Sequence, residues 1–506
     1  MNQSVLSQIQ LQPAGVWGFF EEICAIPHGS GNEEALAIHV EQFAKERGLY
    51  AYRDSANNVF VRLPATKGYE NIPSLMLQGH LDMVCEKDST SGHDFLADGL
   101  DLFVEDDKIG ARGTTLGGDD GIAVAMMMAL LDNPPTPHPT LECLFTVSEE
   151  TGLEGAHAFD PSAVSVTSKT MINLDSECES VVTAGCAGGM RTDITLPICP
   201  AVFGGVRVDV ALDGFSGGHS GVEIHEGHTN AIKAMGEVLT YAREGFPVPV
   251  CLVDIKGGGK DNAIPRDAYA VLAVQTNDRA MAEDFCRRVS ACAEILRATP
   301  NIIPRDADFT CRVGVVDHTP DYMFGEGTEA VLSLLQLSRD GVLAMNAHVK
   351  GMVAYSRNMG IVATQTDDAG RPVGVKFSFS TRSACEGHLD SAERELTRLA
   401  YTCATPNTTP DVRHHARYPG WDYAPVSPIR DLWLQTSQDL FGKTPKVEAI
   451  HAGLECGILL SKMQGMDIIS VGPDMWDIHT PKERLGISST ARLYDLLCEV
   501  LRRYCL

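Results

Sequence analysis

The sequence lacks the features that mark membrane, secreted and nucleic-acid-binding proteins. Its longest apolar run, residues 122–131, is far shorter than the roughly 20 residues that a membrane helix needs. The N-terminus has no basic segment followed by an apolar stretch, so no signal peptide is predicted. With 41 basic against 67 acidic residues and a formal charge of −26, the chain is a poor candidate for binding nucleic acid or an anionic membrane.

Paired cysteines are also missing. The 15 cysteines are scattered singly, without a C-x-x-C motif, which predicts reduced, mostly buried thiols in the cytosol. Any metal is therefore expected to use His and carboxylate ligands. The length of 506 residues predicts two to four domains, and 44% hydrophobic and 21% charged residues are typical of an ordinary globular protein.

The hydrophobic pattern predicts an α/β fold. In the first third of the chain, short apolar strands alternate with helices at the spacing of crossovers in a largely parallel sheet. The segment 122–131 is apolar on nearly all sides, as expected of a helix packed against that sheet. A second alternating pattern begins at Val206, and the stretch 406–425, rich in Pro, Thr and Arg, is interpreted as a linker or domain boundary.

Two motifs place polar residues beside predicted strands. His80 and Asp82 lie two apart in an extended segment, so they project to the same side, and one can bind a metal while the other orients its imidazole. The alternative is an ordinary strand end with a surface ion pair. In the glycine-rich segment 116–121, Asp119 or Asp120 can bridge two cations or simply cap the following helix.

Three further motifs complete the set of candidate ligands. Glu149 and Glu150 follow a strand as adjacent carboxylates, one directed toward a metal and one toward a bound water. Asp175 follows another strand, and His479 lies on a loop near the C-terminus. Acidic residues at strand ends are expected at one edge of the sheet, where α/β proteins bind ligands. A bridging Asp with one carboxylate and one imidazole per cation is zinc-compatible.

Taken in order, the motifs resemble those of the aminoacyl-histidine dipeptidases (Xaa-His or cytosolic non-specific dipeptidases). These belong to the two-zinc aminopeptidase/carboxypeptidase superfamily that includes the carnosinases. The motifs that carry the resemblance run over nearly the whole chain: residues 79–84, 116–121, 149–152, 174–177, 216–221, 262–266, 356–358, 451–457 and 472–479. The segments 216–221 and 451–457 together are specific to this branch.

The resemblance implies a discontinuous zinc-peptidase catalytic domain of the α/β class, with a mostly parallel sheet flanked by helices. This domain consists of residues 1–188 and 418–506, and residues 189–417 form an inserted α+β lid and dimerisation domain. The implied reaction is metal-dependent hydrolysis of dipeptides with a free N-terminus, preferably Xaa-His, in the cytoplasm. Two Zn²⁺ per chain are implied, with Mn²⁺ or Co²⁺ as substitutes, and a homodimer forms through the lid.

The resemblance also implies a role for each site residue. The implied metal ligands are His80 and Asp175 on one zinc, Glu150 and His479 on the other, and Asp119 between them. The implied catalytic residues are Asp82, which orients His80, Glu149 as general base and His219, which stabilises the oxyanion. The implied substrate-binding residues are Asn262 and Arg382, which hold the substrate carboxylate, and Gly453, which lines the cleft. Arg357, in another matching motif, is the alternative to Arg382.

The sequence departs from the branch at four positions. Asp120 stands where Asn is more common, and Ser148 replaces an acidic residue before the Glu pair. His228 occupies a position where Arg is expected, and Thr480 replaces the usual Ser after the C-terminal His. None of these changes removes an implied ligand, so they bear on substrate preference more than on catalysis.

Two glycine-rich motifs suggest other functions. Residues 214–218 satisfy the G-x-S-x-G pattern of a serine esterase, but helical periodicity returns only near Asn230 and no HGGG-type loop precedes them. Residues 257–260 resemble a phosphate loop but lack the Walker spacing. A non-catalytic binding protein is disfavoured because all implied ligands are present. A zinc-dependent N-acyl amino acid deacylase stays the main alternative.

Overall fold

The computed structural model describes residue 6 and residues 9–299, 302–347, 349, 351–406 and 408–506. The helices of this described part are α1 (Ala14–Cys24), α2 (Glu34–Glu46), α3 (Gly118–Asp132), α4 (Glu154–Ala158), α5 (Ala231–Arg243), α6 (Arg279–Arg297), α7 (Gly327–Leu337), α8 (Glu386–Cys403), α9 (Pro428–Phe441), α10 (Glu455–Lys462) and α11 (Ile487–Arg503). Short 3₁₀ helices span Ile224–Glu226 and Pro304–Asp306.

The strands of the same part follow in chain order. They are β1 (Tyr50–Arg53), β2 (Val59–Leu63), β3 (Leu75–His80), β4 (Leu102–Glu105), β5 (Lys108–Ala111), β6 (Leu141–Thr146), β7 (Thr170–Asn173), β8 (Val181–Cys186), β9 (Gly188–Pro197), β10 (Ala201–Val202), β11 (Val206–Asp213), β12 (Gly218–His219), β13 (Val250–Gly257), β14 (Ala263–Ile264), β15 (Asp267–Val274), β16 (Thr310–Val316), β17 (Tyr322–Met323), β18 (Gly341–Met345), β19 (Val353–Thr366), β20 (Pro372–Ser383), β21 (Asp411–Tyr418), β22 (Lys446–Ile450), β23 (Asp467–Ser470), β24 (Met475–Trp476) and β25 (Arg484–Gly486).

The chain divides into two compact units. Unit 1 comprises Met1–Cys186, Trp421–Ala449 and Leu454–Leu506, and unit 2 comprises Ala187–Gly420 and Ile450–Gly453. Unit 1 is therefore discontinuous in sequence. The roles that the sequence assigns to the inserted part, a lid and a dimerisation surface, stay predictions.

Unit 1 is built on an eight-stranded sheet in the order β1-β2-β6-β3-β7-β23-β8-β22. Its centre is parallel, because β3 pairs in parallel with both β6 and β7, and β7 pairs in parallel with β23. Parallel strands are covered on both faces, which explains why β3, β6 and β7 are buried throughout. Helix α3 is buried on nearly all sides, as its uniformly apolar sequence predicts.

Unit 2 is built on an antiparallel sheet with the strand order β16-β11-β15-β13-β19-β20-β9-β21, and β18 pairs with β19. Buried residues alternate along β11 and β9, so one face of the sheet packs on the core. Helices α5, α6 and α7 contribute their apolar faces to the same hydrophobic cluster. A sheet with helices on one face is the α+β arrangement that the sequence predicts for this part of the chain.

The apolar segments 59–63, 141–147 and 171–174 predict short strands, and these are confirmed within a residue as β2, β6 and β7. The predicted buried helix over residues 122–131 is confirmed as part of α3. Residues 406–425, interpreted as a linker or domain boundary, contain the boundary between the two units, at Gly420 and Trp421. They are not simply a linker, because they also contain β21, which pairs with β9 at the edge of the sheet. Most side chains of this edge strand are exposed and polar, so its sequence resembles a loop.

Two further observations concern membrane-spanning helices and paired cysteines, which the sequence lacks. In the described part of the chain, no helix combines the length and the apolar character needed to cross a bilayer. All 15 cysteines are unpaired, as predicted. The sequence predicts that most of the cysteines are buried. Three of them are exposed, namely Cys85, Cys199 and Cys385.

Candidate metal centre

The candidate ligands of unit 1 collect at one edge of its sheet. His80 is the last residue of β3, Glu149 and Glu150 follow β6, and Asp175 follows β7. These three strands are parallel neighbours, so their C-terminal ends meet at the same edge. Asp119 enters from the first turn of α3, where the residues Asp119 and Asp120 do not have helical backbone angles.

Asp119 lies between the two candidate histidines. Its Oδ1 is 3.1 Å from Nε2 of His80, and its Oδ2 is 3.2 Å from Nε2 of His479. Each oxygen of one carboxylate therefore faces a different imidazole. The Nε2 of His80 is also 3.5 Å from Oδ1 of Asp175, and Nε2 of His479 is 2.8 Å from Oε1 of Glu150. The structure thus brings together all five predicted metal ligands.

Two groups of ligand atoms in unit 1 are close enough to hold an ion. One is His80, Asp119 and Glu150, and the other is His80, Asp120 and Asp175, with the ligand atoms of each group within 4.8 Å of one another. Asp120, which is not among the predicted ligands, is completely buried. Its Oδ2 accepts a hydrogen bond from the main-chain N–H of His80 at 3.1 Å, and its Oδ1 has no partner among the described residues.

The electrostatics of this group favour bound cations. Burial opposes the charged form of His80, yet Asp175 and Asp119 raise its pKa well above the usual value. Hydrogen bonds to Asp119 and Glu150 raise the pKa of His479 to about 10. Burial raises the pKa of Asp175 and Glu149 far above the usual carboxyl range. The carboxylates outnumber the positive charges available, and divalent cations would balance them.

Asp82 contacts both His80 and the turn that carries the Glu pair. Nδ1 of His80 donates to the main-chain carbonyl of Asp82 at 2.9 Å and lies 3.3 Å from Oδ1 of the same residue, which also accepts the main-chain N–H of Glu149 at 2.9 Å. The Asp82 Oδ2 accepts hydrogen bonds from the Ser30 hydroxyl at 2.8 Å and the Glu150 N–H at 3.3 Å. Acceptors of Asp82 on Nδ1 leave Nε2 free for a metal, which is the arrangement that the predicted orienting role requires.

Glu483 is a site residue that the sequence analysis missed. Its buried carboxylate accepts main-chain N–H groups of Leu116 and Gly118 at 2.8 Å, with longer contacts to Gly117 and Asp119. It therefore ties the segment that carries His479 to the loop that carries Asp119. Glu483 lies four residues after His479, which was the available sequence signal for a role at the site. Its contact with Leu116, which lies 367 residues away in the sequence, could not be predicted.

Comparison with known proteins is consistent with this geometry. The model of peptidase family M20/M25/M40 matches residues 76–503, which include every ligand named above. The chain belongs to this family. It is 34% identical to the cytosol non-specific dipeptidase of Escherichia coli (strain K12) over 503 residues, which cover 99% of each chain. The family predicted from the motifs is thus confirmed.

Solved structures give the same result for the fold. The crystal structure of aminoacylhistidine dipeptidase from Vibrio alginolyticus matches with a TM-score of 0.90 at 31% identity, covering 98% of this chain and 97% of that one. The aminopeptidase PepT from Bacillus cereus matches with a TM-score of 0.57 at 15% identity, covering 98% of this chain and 100% of that one, and shares the fold. The protein is an M20 metallopeptidase with the predicted α/β fold, and hence a peptide hydrolase.

In this M20 peptidase, the predicted residues of unit 2 also lie near one another. His219 is on β12, which pairs with β14, and the neighbouring Ser220 donates its N–H to the carbonyl of Asn262 at 2.9 Å. Nδ1 of His219 accepts the N–H groups of Gly221 and Val222 at 3.3 and 3.2 Å. The neutral ring therefore carries its proton on Nε2, where it can be donated. Burial and then Arg382 lower the pKa of His219 and favour this neutral form.

The two candidate arginines have different surroundings. Arg357 is completely buried, and its guanidinium donates to Glu395 at 2.9 Å and to the Tyr355 hydroxyl at 3.0 Å. Arg382 donates to the Tyr418 hydroxyl at 3.2 Å and pairs with no carboxylate in the described part of the chain. The ring of Tyr418 in turn packs against Gly453, where a Cβ would lie 2.9 Å from Cε2. Arg382, unlike Arg357, is thus available to a substrate carboxylate.

The G-x-S-x-G serine does not lie on a nucleophile elbow. Ser216 Oγ is 2.7 Å from Nδ1 of His228, whose Nε2 lies 3.1 Å from the Arg305 guanidinium and 3.4 Å from Oε2 of Glu226. Helix α5 begins only at Ala231, so the strand–turn–helix elbow that a serine esterase requires is missing from this described segment.

Proposed function

We propose that the protein is a metal-dependent dipeptidase that cleaves dipeptides with a free N-terminus, preferably Xaa-His, with two Zn²⁺ per chain. The observation that carries this proposal is the position of Asp119, whose two carboxylate oxygens face His80 and His479. The substrate class rests on the likeness to the Escherichia coli and Vibrio alginolyticus dipeptidases. The metal rests on the donor set of imidazoles and carboxylates, which suits zinc and also Mn²⁺ or Co²⁺.

The crowded carboxylates fit a pair of divalent ions. In the proposed assignment, His80 and Asp175 would hold one ion, Glu150 and His479 would hold the other, and Asp119 would be shared by both. When bound, such ions would supply Lewis acidity and an activated water near neutral pH. Burial and then Asp175 raise the pKa of Glu149, and beside the positive charge of the ions Glu149 would be ionised and could act as a base.

The chain's own groups then move the protons. Glu149 takes a proton from the attacking water and delivers it to the leaving amine. His219 donates from Nε2 to the developing oxyanion, a contribution typically of about 3–4 kcal/mol. Arg382 and Asn262 hold the substrate's terminal carboxylate, because a guanidinium pairs with it in a fixed direction, and Gly453 lines the substrate site. Asp82 keeps His80 in the tautomer that binds metal.

Two further properties belong to the same proposal. The relative in Escherichia coli is named a cytosol dipeptidase, and unpaired cysteines suit a reducing compartment, so we expect a cytoplasmic protein. A homodimer through unit 2 is the remaining expectation from the sequence. Gel filtration with light scattering, at a mass of 54.6 kDa per chain, measures that assembly directly.

A dipeptide panel tests the function. Xaa-His dipeptides, other dipeptides, their C-terminal amides and their N-acetylated forms are assayed with and without a chelator. We expect cleavage of the free dipeptides, strong loss with the amides, and recovery of chelated enzyme with zinc, manganese or cobalt. Equal rates on the amides would contradict the proposed binding of the substrate's terminal carboxylate by Arg382 and Asn262. Activity on the acetylated substrates alone would make the protein a deacylase.

A further inference from the structure

The motif at residues 451–457 contains a buried acid that the proposed mechanism does not use. Glu455 begins helix α10, and its side chain is completely buried in unit 1. Burial raises its pKa to about 7. A buried carboxyl group normally costs stability unless it is fully hydrogen-bonded. One oxygen of Glu455, Oε1, has no partner among the described residues, so fold stability alone gives a poor reason for this residue.

The other oxygen of Glu455 connects two strands of the metal edge. Oε2 accepts hydrogen bonds from the amide of Gln78 on β3 and from the hydroxyl of Thr146 on β6, both at 2.6 Å. The Gln78 carbonyl accepts from the amide of Asn173 on β7 at 2.7 Å. All four side chains are buried to 99% or more. A buried polar layer therefore links β3, β6 and β7 through side chains.

This layer lies directly behind the metal ligands. Gln78 is two residues before His80, and therefore on the same face of β3. Asn173 is two residues before Asp175, whose N–H it accepts at 3.4 Å. Thr146 is the last residue of β6, which leads into the turn with Glu150. Each strand that delivers a ligand thus has one side chain in the layer.

We propose that Glu455 is a positioning residue that sets the spacing of His80, Glu150 and Asp175 by tying together the strand ends that carry them. The inference rests on the metal centre of the proposed function. Hydrogen bonds in a buried region of low dielectric constant are strong and directional, so they fix strand ends more tightly than the sheet ladder does alone. Partners outside the ligand shell commonly change metal affinity by 10- to 100-fold.

The test compares variants of the full-length protein by metal binding, without peptide substrate. Glu455→Ala removes the tie, whereas Glu455→Gln keeps an oxygen that accepts both hydrogen bonds. Glu142→Ala is the control, because Glu142 is equally buried on β6 but binds Ser168 and Arg62 instead of the layer. Co²⁺ affinity is measured by competition with a chelator, and the visible spectrum of the bound cobalt reports its geometry.

We expect Glu455→Ala to bind Co²⁺ at least about 10-fold more weakly with an altered spectrum, and Glu455→Gln to stay within about 3-fold of the parent. Glu142→Ala should lose thermal stability but keep the parent's affinity and spectrum. Thr146→Val is a smaller change and replaces Glu455→Ala in the test if that variant does not fold. It should also weaken the binding of Co²⁺.

The outcomes separate the inference from the proposed function. Parent-like cobalt affinity and spectrum in Glu455→Ala, or in Thr146→Val where the former does not fold, would overturn the positioning role alone. A Gln variant as weak as the Ala variant would also overturn it, because charge and not hydrogen bonding would then matter. A parent protein that binds no cobalt would instead overturn the metal centre.

Discussion

Single residues at the metal edge show how charge and burial compete. Although burial favours its neutral form, hydrogen bonds from His479 and His80 hold the pKa of Asp119 well below the usual carboxyl range. Asp120, the next residue, is buried without such donors to both oxygens, and its pKa is raised well above that range. Adjacent carboxyl groups thus differ because only one of them faces two imidazoles.

Ser148 illustrates how a changed residue is accommodated. The resemblance implies an acidic residue at this position, whereas here the N–H and hydroxyl of Ser148 both donate to Oε1 of Glu33, at 3.0 and 2.9 Å. A carboxylate from another segment thus stands beside the position of the missing one. This contact keeps the turn before Glu149 anchored to the N-terminal part of unit 1.

Glu149 gives the first prediction at this scale. Glu149→Gln should keep both metal ions, because Glu149 is not among the proposed ligands, but lose about 10²- to 10⁴-fold in kcat with the loss of the general base. Metal content and turnover are measured on the same samples. Glu154→Gln, a change of an exposed glutamate nearby, is the control and should keep the parent's kcat. A Glu149→Gln enzyme with a tenth of the parent's turnover would remove this role.

His451 gives a pH-dependent prediction. Its Nε2 is 2.7 Å from the Ser356 hydroxyl, and burial, followed by the charge of Arg382, lowers its pKa to about 3. The unfolded chain, with a pKa of about 6.5, binds a proton that the folded chain does not. His451 therefore contributes full stability above about pH 6.5 and loses it as the pH falls toward 3.

The measurement is urea unfolding at pH 7, 6 and 5. Between pH 7 and 5, the parent should lose about 2 kcal/mol of unfolding free energy more than His451→Gln, at about 1.4 kcal/mol per pH unit. His318→Gln, at an exposed position of unit 2, is the matched control. Equal pH dependence in parent and His451→Gln would contradict the prediction.

At the scale of elements, the close approach of β3 and α3 positions the ligands. Gly79 lies on β3 immediately before His80, and a Cβ there would lie 2.5 Å from Oδ2 of Asp120 and 2.9 Å from Cβ of Ala123. Only glycine allows the helix to approach so closely, and this approach lets Asp120 accept the N–H of His80. The strand–helix contact thus sets where two acidic residues of α3 meet the sheet edge.

Gly79→Ala should therefore separate α3 from β3. We expect a loss of about 1–3 kcal/mol in unfolding free energy from overpacking, together with weaker metal binding. Urea unfolding and cobalt titration measure the two effects. Gly18→Ala on α1 is the control, because a Cβ there meets no atom within 4 Å, and it should be neutral or stabilise by about 0.4–1 kcal/mol. Unchanged metal affinity in Gly79→Ala would argue against this contact as a determinant of the site.

At the scale of the whole molecule, the metal centre joins distant parts of the chain. Four of the proposed ligands precede residue 176, and the fifth, His479, comes from the C-terminal segment of unit 1. A ligand that binds only the folded state stabilises it by about 2.7 kcal/mol when its concentration is 100-fold above its Kd. Bound metal should therefore hold the N-terminal and C-terminal segments of unit 1 together.

Metal removal tests this expectation. Thermal unfolding of zinc-loaded protein is compared with chelated protein, and we expect the chelated form to unfold at a lower temperature and to recover with added zinc. His479→Ala should show a smaller response, because one ion loses its imidazole. Identical unfolding with zinc and with chelator would show that the ions do not stabilise unit 1.

The sequence alone determined much of the secondary structure and the candidate ligands of this protein. Hydrophobic periodicity is local, so helix α3, the buried strands and the second alternating pattern, which begins at Val206 with β11, were readable within a few residues. The ligands stand in short glycine- and acid-rich motifs at strand ends, so His80, Asp119 and Asp175 were named without a structure. Edge strand β21 was not predicted, because its exposed polar side chains give no periodic apolar signal.

Only the tertiary structure decided which distant groups meet. Glu483 caps the Asp119 loop across 367 residues, and Glu455 reaches Gln78 across 377, distances at which sequence spacing carries no geometric information. Arg357 and Arg382 look alike in their motifs, but burial against Glu395 occupies the first and leaves the second available. The local sequence pattern determines which residues are candidates for substrate or metal binding. Tertiary packing determines which of these candidates remain without an oppositely charged partner.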